Sequence, residues 1–289
     1  MANSEARTYR AQAVVIRHLE YGEADRLLTL YTLEKGKFQV IAKGIRKIRS
    51  RKAGHLEPFT QVALFLAKGR NLDVVTQAEA IRTFEGIRAD LVLTAYAAYV
   101  VELLDRFTYA ESDNPQLYHL LVDTLVRLES GASPTTVVHY YEIALMDSLG
   151  FRPELTRCVH CGKKIEPVDQ YFSAKLGGAL CPNCADNDPT AWRVSVDVLR
   201  YMRHFQRSPW SAVKERVIPD DIEKNLKLLM ERGLIDLAAG ELDPGAVELS
   251  GGNQSEEVQE MWWRSPSGPQ TSPVSVTWHS PASSGYAST

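Results

Sequence analysis

The sequence predicts an α+β chain in three parts, and three observations predict it. Short apolar runs alternating with polar residues fill residues 10–80; a 3.6-residue apolar period replaces them from about Ile87; beyond Ala238 the composition collapses to Gly, Ser, Pro and Thr. In order, these predict a five-stranded β unit over 1–80, an α-helical unit over 81–237 with a cysteine-rich insert at about 156–187, and a disordered tail over 238–289.

The first strand is the compact run AVVI at 13–16, followed by Tyr21-Gly22. LLTLYTL at 27–33, rich in β-branched and aromatic residues, is the second, and KFQVIA at 37–42, alternating with period two, is the third. Between them, Glu34-Lys35-Gly36 is a hairpin loop in which Gly36 supplies the positive φ that closes the turn. The pattern resumes after Pro58 with QVALFLA at 61–67 and LDVVTQ at 72–77, joined by the turn KGRN that carries Arg70. Five short strands with one long loop between the third and fourth fit a small β-barrel of the oligonucleotide-binding type. An SH3-like barrel fits the strand count nearly as well.

LVLTAYAAYVVELLDRF at 91–107 has no Gly or Pro and is apolar on most of its circumference, as expected of a helix buried in a bundle. Asn114-Pro115 and Ser133-Pro134 each start a further helix with proline at the favoured first position. Three helices with short capped connections predict a bundle, and VDVLRYMRHF and DDIEKNLKLLMERGLI add two amphipathic helices after the insert. The tail cannot bury enough apolar surface to offset its ordering entropy; Trp262-Trp263 is its one unusual feature.

The first twelve residues hold two arginines and no apolar run, so no secretory signal is expected, and no stretch approaches the roughly 18 apolar residues of a membrane span. A cytoplasmic location is therefore expected.

Charge is distributed unevenly. Residues 1–80 hold 14 Lys and Arg against 8 Asp and Glu, a formal +6, so the remaining 19 basic and 28 acidic residues make −9. Six of the cations, Lys43, Arg46, Lys47, Arg49, Arg51 and Lys52, fall within ten positions that contain no carboxylate. Such a cluster suits phosphates: Lys and Arg neutralise them and release counterions, giving binding that depends on salt and little on sequence. Tyr21, Tyr31 and Phe38 are candidate platforms for unpaired bases, though each fits the barrel core as easily, and for Phe38, at its apolar period, the core is the better reading.

Cys158 and Cys161 are separated by two residues, and so are Cys181 and Cys184, with nineteen residues between the pairs. Each C-x2-C forms a knuckle that offers two thiolates on one side, and the intervening hairpin brings the knuckles face to face, as a tetrahedral zinc site requires. Redox chemistry fits a single C-x-x-C better, and an iron–sulfur cluster is less usual at this spacing. His160 lies inside the first knuckle and points away when all four cysteines bind. Four sulfurs fill the coordination shell, so one structural Zn2+ is expected, with no position open for catalysis.

No enzyme motif accompanies these features. Gly36-Lys37 and Gly162-Lys163 lack the phosphate-loop context, the seven histidines form no H-E-x-x-H, and neither G-x-S-x-G nor a dinucleotide fingerprint occurs. Asp220-Asp221 is explained by a helix start. The chain is expected not to be an enzyme and to have no catalytic residues.

The run YGEADRLLTLYTLEKGKFQVIAKGIRKIRSRKAGHLEPF resembles the amino-terminal signature of the RecO family of bacterial DNA repair and recombination-mediator proteins, with its Y-G-E element, T-x-x-x-G-K turn, basic loop and L-x-P-F. ALMDSLGFRPELTRCVHCG with the later CPNC is similar to that family's joint between helical bundle and zinc ribbon, and the likeness spans roughly residues 9–235. The resemblance implies an oligonucleotide-binding barrel and a zinc-bearing helical domain. It implies binding of single- and double-stranded DNA, annealing of complementary strands, and work with RecR, in some members RecF, to load RecA onto strands coated by single-strand-binding protein. Lys37 and Lys43 match basic positions flanking the third strand; Arg46, Lys47, Arg49 and Arg51 match the basic loop, and Lys52 and Arg70 complete the expected DNA-binding set. Some family members lack the four cysteines, which implies that zinc is not essential to the shared activity, and the tail has no counterpart. A bacterial, nucleoid-associated cytoplasmic location follows from the resemblance. The alternative from another class is a zinc-ribbon transcription or translation factor that binds RNA through its barrel.

Overall fold

The structure is a computed structural model that describes residues 7–110 and 113–238, with side chains to residue 233. The expected tail, with Trp262 and Trp263, lies outside the described residues.

Five strands come first: β1 (Thr8–Tyr21), β2 (Asp25–Thr32), β3 (Gly36–Ala42), β4 (Gln61–Ala67) and β5 (Asp73–Arg82). Strand β1 is far longer than its apolar run because its amino half pairs with β4 and its carboxyl half with β2. An irregularity between Val15 and Arg17 separates the halves and bends the strand. The hairpin turn before β3 is as expected, with Gly36 at φ +64°. A two-residue parallel contact, Val40 opposite Asp73 and Ile41 opposite Val74, closes the sheet in the order β1-β2-β3-β5-β4. Ala13, Val15, Leu28, Leu30, Phe38, Val40, Val62, Leu64 and Leu66 fill its interior. Ile45 and Leu56, from the long β3–β4 connection, are buried in the same interior.

The helical part holds α1 (Glu85–Ala89), α2 (Leu91–Phe107), α3 (Pro115–Glu129) and α4 (Pro134–Ser148). A three-stranded sheet follows, β6 (Gln170–Ser173), β7 (Gly178–Leu180) and β8 (Trp192–Val194), and then α5 (Val196–Arg207), α6 (Trp210–Val213) and α7 (Asp220–Ala238). The Asp90 carboxylate caps α2 by accepting from the Val92 and Leu93 amides, and Asn114 caps α3 through the Leu117 amide. Ser133 offers α4 no side-chain cap, leaving Pro134 as its start signal. Among the described residues no helix is long and apolar enough to cross a membrane.

Barrel and helices share a core. Val14, Ile16 and Tyr31 project outward from the barrel and are buried in the helical cluster with Tyr118 and Tyr141. Polar contacts reinforce the junction: Lys37 Nζ lies 3.0 Å from Asp105 Oδ1 at the end of α2, Arg17 3.5 Å from the other Asp105 oxygen, and Gln61 donates to the Tyr118 hydroxyl at 3.1 Å. Asp105 therefore answers two barrel cations. In Asp105→Ala the half-buried Lys37 ammonium keeps only the carbonyl of residue 105, and we expect a loss of about 1–3 kcal/mol. Chemical denaturation checks this, and an unchanged midpoint refutes it.

Candidate nucleic-acid interface and metal centre

Residues 43–60 run from β3 back to β4 as turns with one short 3-10 segment at Ala53–His55. Turn chemistry and burial hold this segment to the barrel. The Gly44 amide donates to Asp25 Oδ1 at 2.7 Å and the Arg46 amide to the Ala24 carbonyl at 2.9 Å, which ties the loop to the β1–β2 turn. At the far end His55 Nδ1 accepts from the Ala80 amide at 3.1 Å, and Arg26 pairs with Glu57 at 2.9 Å. With Ile45 and Leu56 buried, the segment between them has both ends fixed.

The expected phosphate contacts then fall into two groups. Lys43, Lys47, Arg49 and Arg51 are exposed, and their side chains have no ion-pair or hydrogen-bond partner among the described residues. Arg70, in the β4–β5 turn, is likewise exposed. Arg46 is paired with Glu20 at 3.2 Å and rests near the Gly22 carbonyl. Lys52 points back into the barrel: its ammonium donates to the Val75 carbonyl at 2.9 Å and the Lys43 carbonyl at 3.2 Å, and burial pulls its pKa down. Lys37 is held by Asp105. Geometry thus gives Lys37 and Lys52 structural partners and leaves four cations facing solvent on the loop.

Ile48, at the loop's centre, is fully exposed among these cations. Of the three aromatic candidates, Tyr21 is 58% exposed at the end of β1, beside Gly22. Tyr31 has to be corrected: it is fully buried beneath the helices, because the outer face of β2 at that row is covered by the bundle. Phe38 lies in the barrel core, as its period indicated. Asp25 and His55, which fix the loop, went unnoticed in the sequence; Asp25 three residues after Gly22 is an ordinary turn residue and carries no signal of its partner nineteen positions on.

The cysteines converge as their spacing predicts. All four sulfurs lie within 4.8 Å of one another, and Cys161 and Cys181 are 3.8 Å apart, too far for a disulfide. Four thiolates about 2.3 Å from one metal ion lie roughly 3.8 Å apart along the edges of a tetrahedron, so the donor set fits a tetrahedral metal. The first knuckle closes through the Cys158 amide to the Lys163 carbonyl and the Gly162 amide to the Cys158 carbonyl, both 2.8 Å, with Gly162 at φ +72°. Strand β7 crosses close behind it: a Cβ on Gly178 would sit 2.3 Å from the Glu154 carbonyl oxygen, so only glycine fits. Burial raises the Cys158 thiol pKa, but the amides of Cys161, Cys181 and His160 outweigh that and bring it to about 6. Burial and the neighbouring sulfurs push Cys184 up to about 12. Four thiolates crowded this closely need a cation to be ionised together. His160 is exposed and outside the cluster, as expected.

One further polar cluster is buried in the bundle. Glu142 accepts from the Tyr99 hydroxyl at 2.6 Å and pairs with His139 Nδ1 at 2.9 Å. Burial and the adjacent Glu142 carboxylate raise the Tyr99 pKa, keeping it a donor. The three satisfy one another inside the core.

Comparison with known proteins finds matches to both parts of the chain. The family model described as Recombination protein O N terminal matches residues 6–84, and that described as Recombination protein O C terminal matches 88–233. A protein of Roseiflexus sp. (strain RS-1) named DNA repair protein RecO is 42% identical over 70% of this chain and 71% of its own length. Proteins of the same name from Dehalococcoides mccartyi (strain CBDB1) and Bacillus subtilis (strain 168) are 35% and 32% identical, over 78% and 77% of this chain and 89% and 86% of their own.

Proposed function

The chain belongs to the RecO family of DNA repair proteins, and from that premise we propose that it is a recombination mediator acting on DNA without bond chemistry. It binds single- and double-stranded DNA, anneals complementary strands, and works with RecR to load RecA onto strands coated by single-strand-binding protein, with RecF as a further partner, in the bacterial cytoplasm at the nucleoid. Closure through the β1–β4 and β3–β5 pairs supports a barrel of the oligonucleotide-binding type. The sulfur cluster supports one structural Zn2+ held by Cys158, Cys161, Cys181 and Cys184.

The observation that carries the reading is the tethered loop with four unpartnered cations. Two phosphate backbones repel each other, which opposes the pairing of complementary strands; cations held at a surface lower that repulsion without reading sequence. Tyr21 beside the loop offers a face to an unpaired base. Lys43, Lys47, Arg49 and Arg51 make the phosphate contacts, Arg46 and Arg70 support them, and Lys37 and Lys52 act by holding the loop and its strand in place.

Annealing of two complementary fluorescent oligonucleotides tests this. Four phosphate contacts predict that single-strand affinity falls about 50-fold between ~50 and ~200 mM salt, with annealing falling alongside. A wild-type protein that neither binds nor anneals overturns the reading.

A further inference from the structure

A second concentration of positive charge lies in the half of the chain whose formal charge is −9. A hollow of about 380 Å³ is lined by Thr156, Arg157, Lys164 and Arg207. Arg157 and Lys164 face each other as an antiparallel bridge pair across the first knuckle, so two like charges stand directly opposite, a destabilising arrangement. On α5, Arg203 and Arg207 are four residues apart, again a like-charge pair at the spacing where side chains meet. Arg203 is fastened to the knuckle segment, its Nε donating to the Leu155 carbonyl at 2.8 Å. Burial and the neighbouring Arg207 and Arg200 pull its pKa down.

The compensating charge is small. Arg200 has its own partner, Asp197, at 2.9 Å. Glu154 is the acid in electrostatic reach of Arg157 and Arg203, and its Oε1 already accepts from the Thr156 hydroxyl and from the amides of Thr156 and Arg157. Arg157 touches the Gly162 carbonyl at 3.3 Å, while the side chains of Lys164 and Arg207 have no partner among the described residues. A helix dipole favours a cation at the end of α5, and four thiolates around a divalent metal, net −2, favour cations beside the knuckle. Neither gives Lys164 or Arg207 a partner of its own, and with Arg157 they place three cations around a common hollow.

We propose that this hollow is a second phosphate-binding site, which holds the backbone of one nucleic-acid strand while the basic loop of the barrel holds another. The inference rests on the annealing function proposed above and adds the surface for the second strand. Its lining favours phosphate over an acidic peptide. A docked peptide is anchored by apolar or aromatic pockets, and here the apolar surface of the wall comes from the stems of Arg157, Lys164 and Arg207, with no hydrophobic residue among them.

The test uses the full chain carrying Lys164→Gln and Arg207→Gln, compared with wild type and with the barrel-loop variant in which Lys43, Lys47, Arg49 and Arg51 are Ala. Single-strand binding against salt, annealing rate, zinc content and melting are read for each, and a labelled acidic peptide is titrated in parallel. The expected result is a salt slope shallower by about 1.4 for a second strand, added to chain whose loop is already occupied, and annealing slowed several-fold, with zinc content and melting unchanged. An unchanged slope and annealing rate, while the loop variant loses both, overturns the second site and leaves the proposed function standing. Peptide binding lost with the slope unchanged assigns the hollow to a protein partner and overturns the strand assignment. Wild type that neither binds nor anneals overturns both. Should the double variant lose zinc, Arg207→Gln alone, on α5, gives the same readouts with a slope change of about 0.7.

Discussion

Replacing Lys43, Lys47, Arg49 and Arg51 together by Ala is expected to abolish annealing at moderate salt and leave the fold intact. The four side chains are exposed, with no ion-pair or hydrogen-bond partner among the described residues, so each substitution costs within about 0.5 kcal/mol of stability. Each removes one phosphate contact, so the slope of log affinity against log salt for single strands becomes shallower by about 3. Lys52→Ala is the informative contrast. Its ammonium ties the loop to the Val75 and Lys43 carbonyls, so its loss costs about 1 kcal/mol and weakens annealing through a loosened loop, with little of the slope change. Thermal melting beside anisotropy titrations separates the two behaviours. If the four-site variant keeps the wild-type slope, the loop is not the DNA surface.

Removing the metal is expected to have the largest structural effect. Chelation, or Cys184→Ser, should release about one zinc ion per chain and unfold the segment around residues 156–187, because structural zinc contributes folding free energy directly, on the order of 10 kcal/mol in small zinc peptides. The segment's own sheet is small, β6, β7 and β8 being four, three and three residues long, so without the knuckles only the burial of Ile165, Phe172, Ala179 and Leu180 against the helical core is left to hold it. Limited proteolysis with zinc analysis should show cleavage there in the stripped protein. The barrel loop lies on other elements, so strand binding through it should survive, while annealing slows with the loss of the hollow beside the first knuckle. A chain that resists protease equally with and without chelator excludes a structural metal.

How much of this was legible in the sequence depends on how far apart the partners are. The zinc ligands were legible because each C-x2-C is a local knuckle whose geometry is set by its own backbone. Pro115 and Pro134 marked their helices because a missing amide matters only at the first turn. Gly36 announced its hairpin for the same local reason. The full length of β1 was hidden, since its second half pairs polar residues with β2 and shows no apolar alternation. The burial of Tyr31 under the helices was hidden because the elements that cover it are distant in sequence.

By itself, then, the sequence determined the order of the parts, the metal ligands and the place where positive charge collects, all properties of residues near one another along the chain. Only the tertiary structure decided which cations are available. Lys37 and Lys43 stand at the two ends of one strand, yet one meets Asp105, 68 positions away, and the other meets solvent. The same holds for Lys52 against Arg51, and for Arg157, Lys164 and Arg207, which share a hollow although α5 begins more than thirty residues after the first knuckle. A charge's function depends on what lies within a few ångströms of it, and chain folding, not chain order, sets those distances.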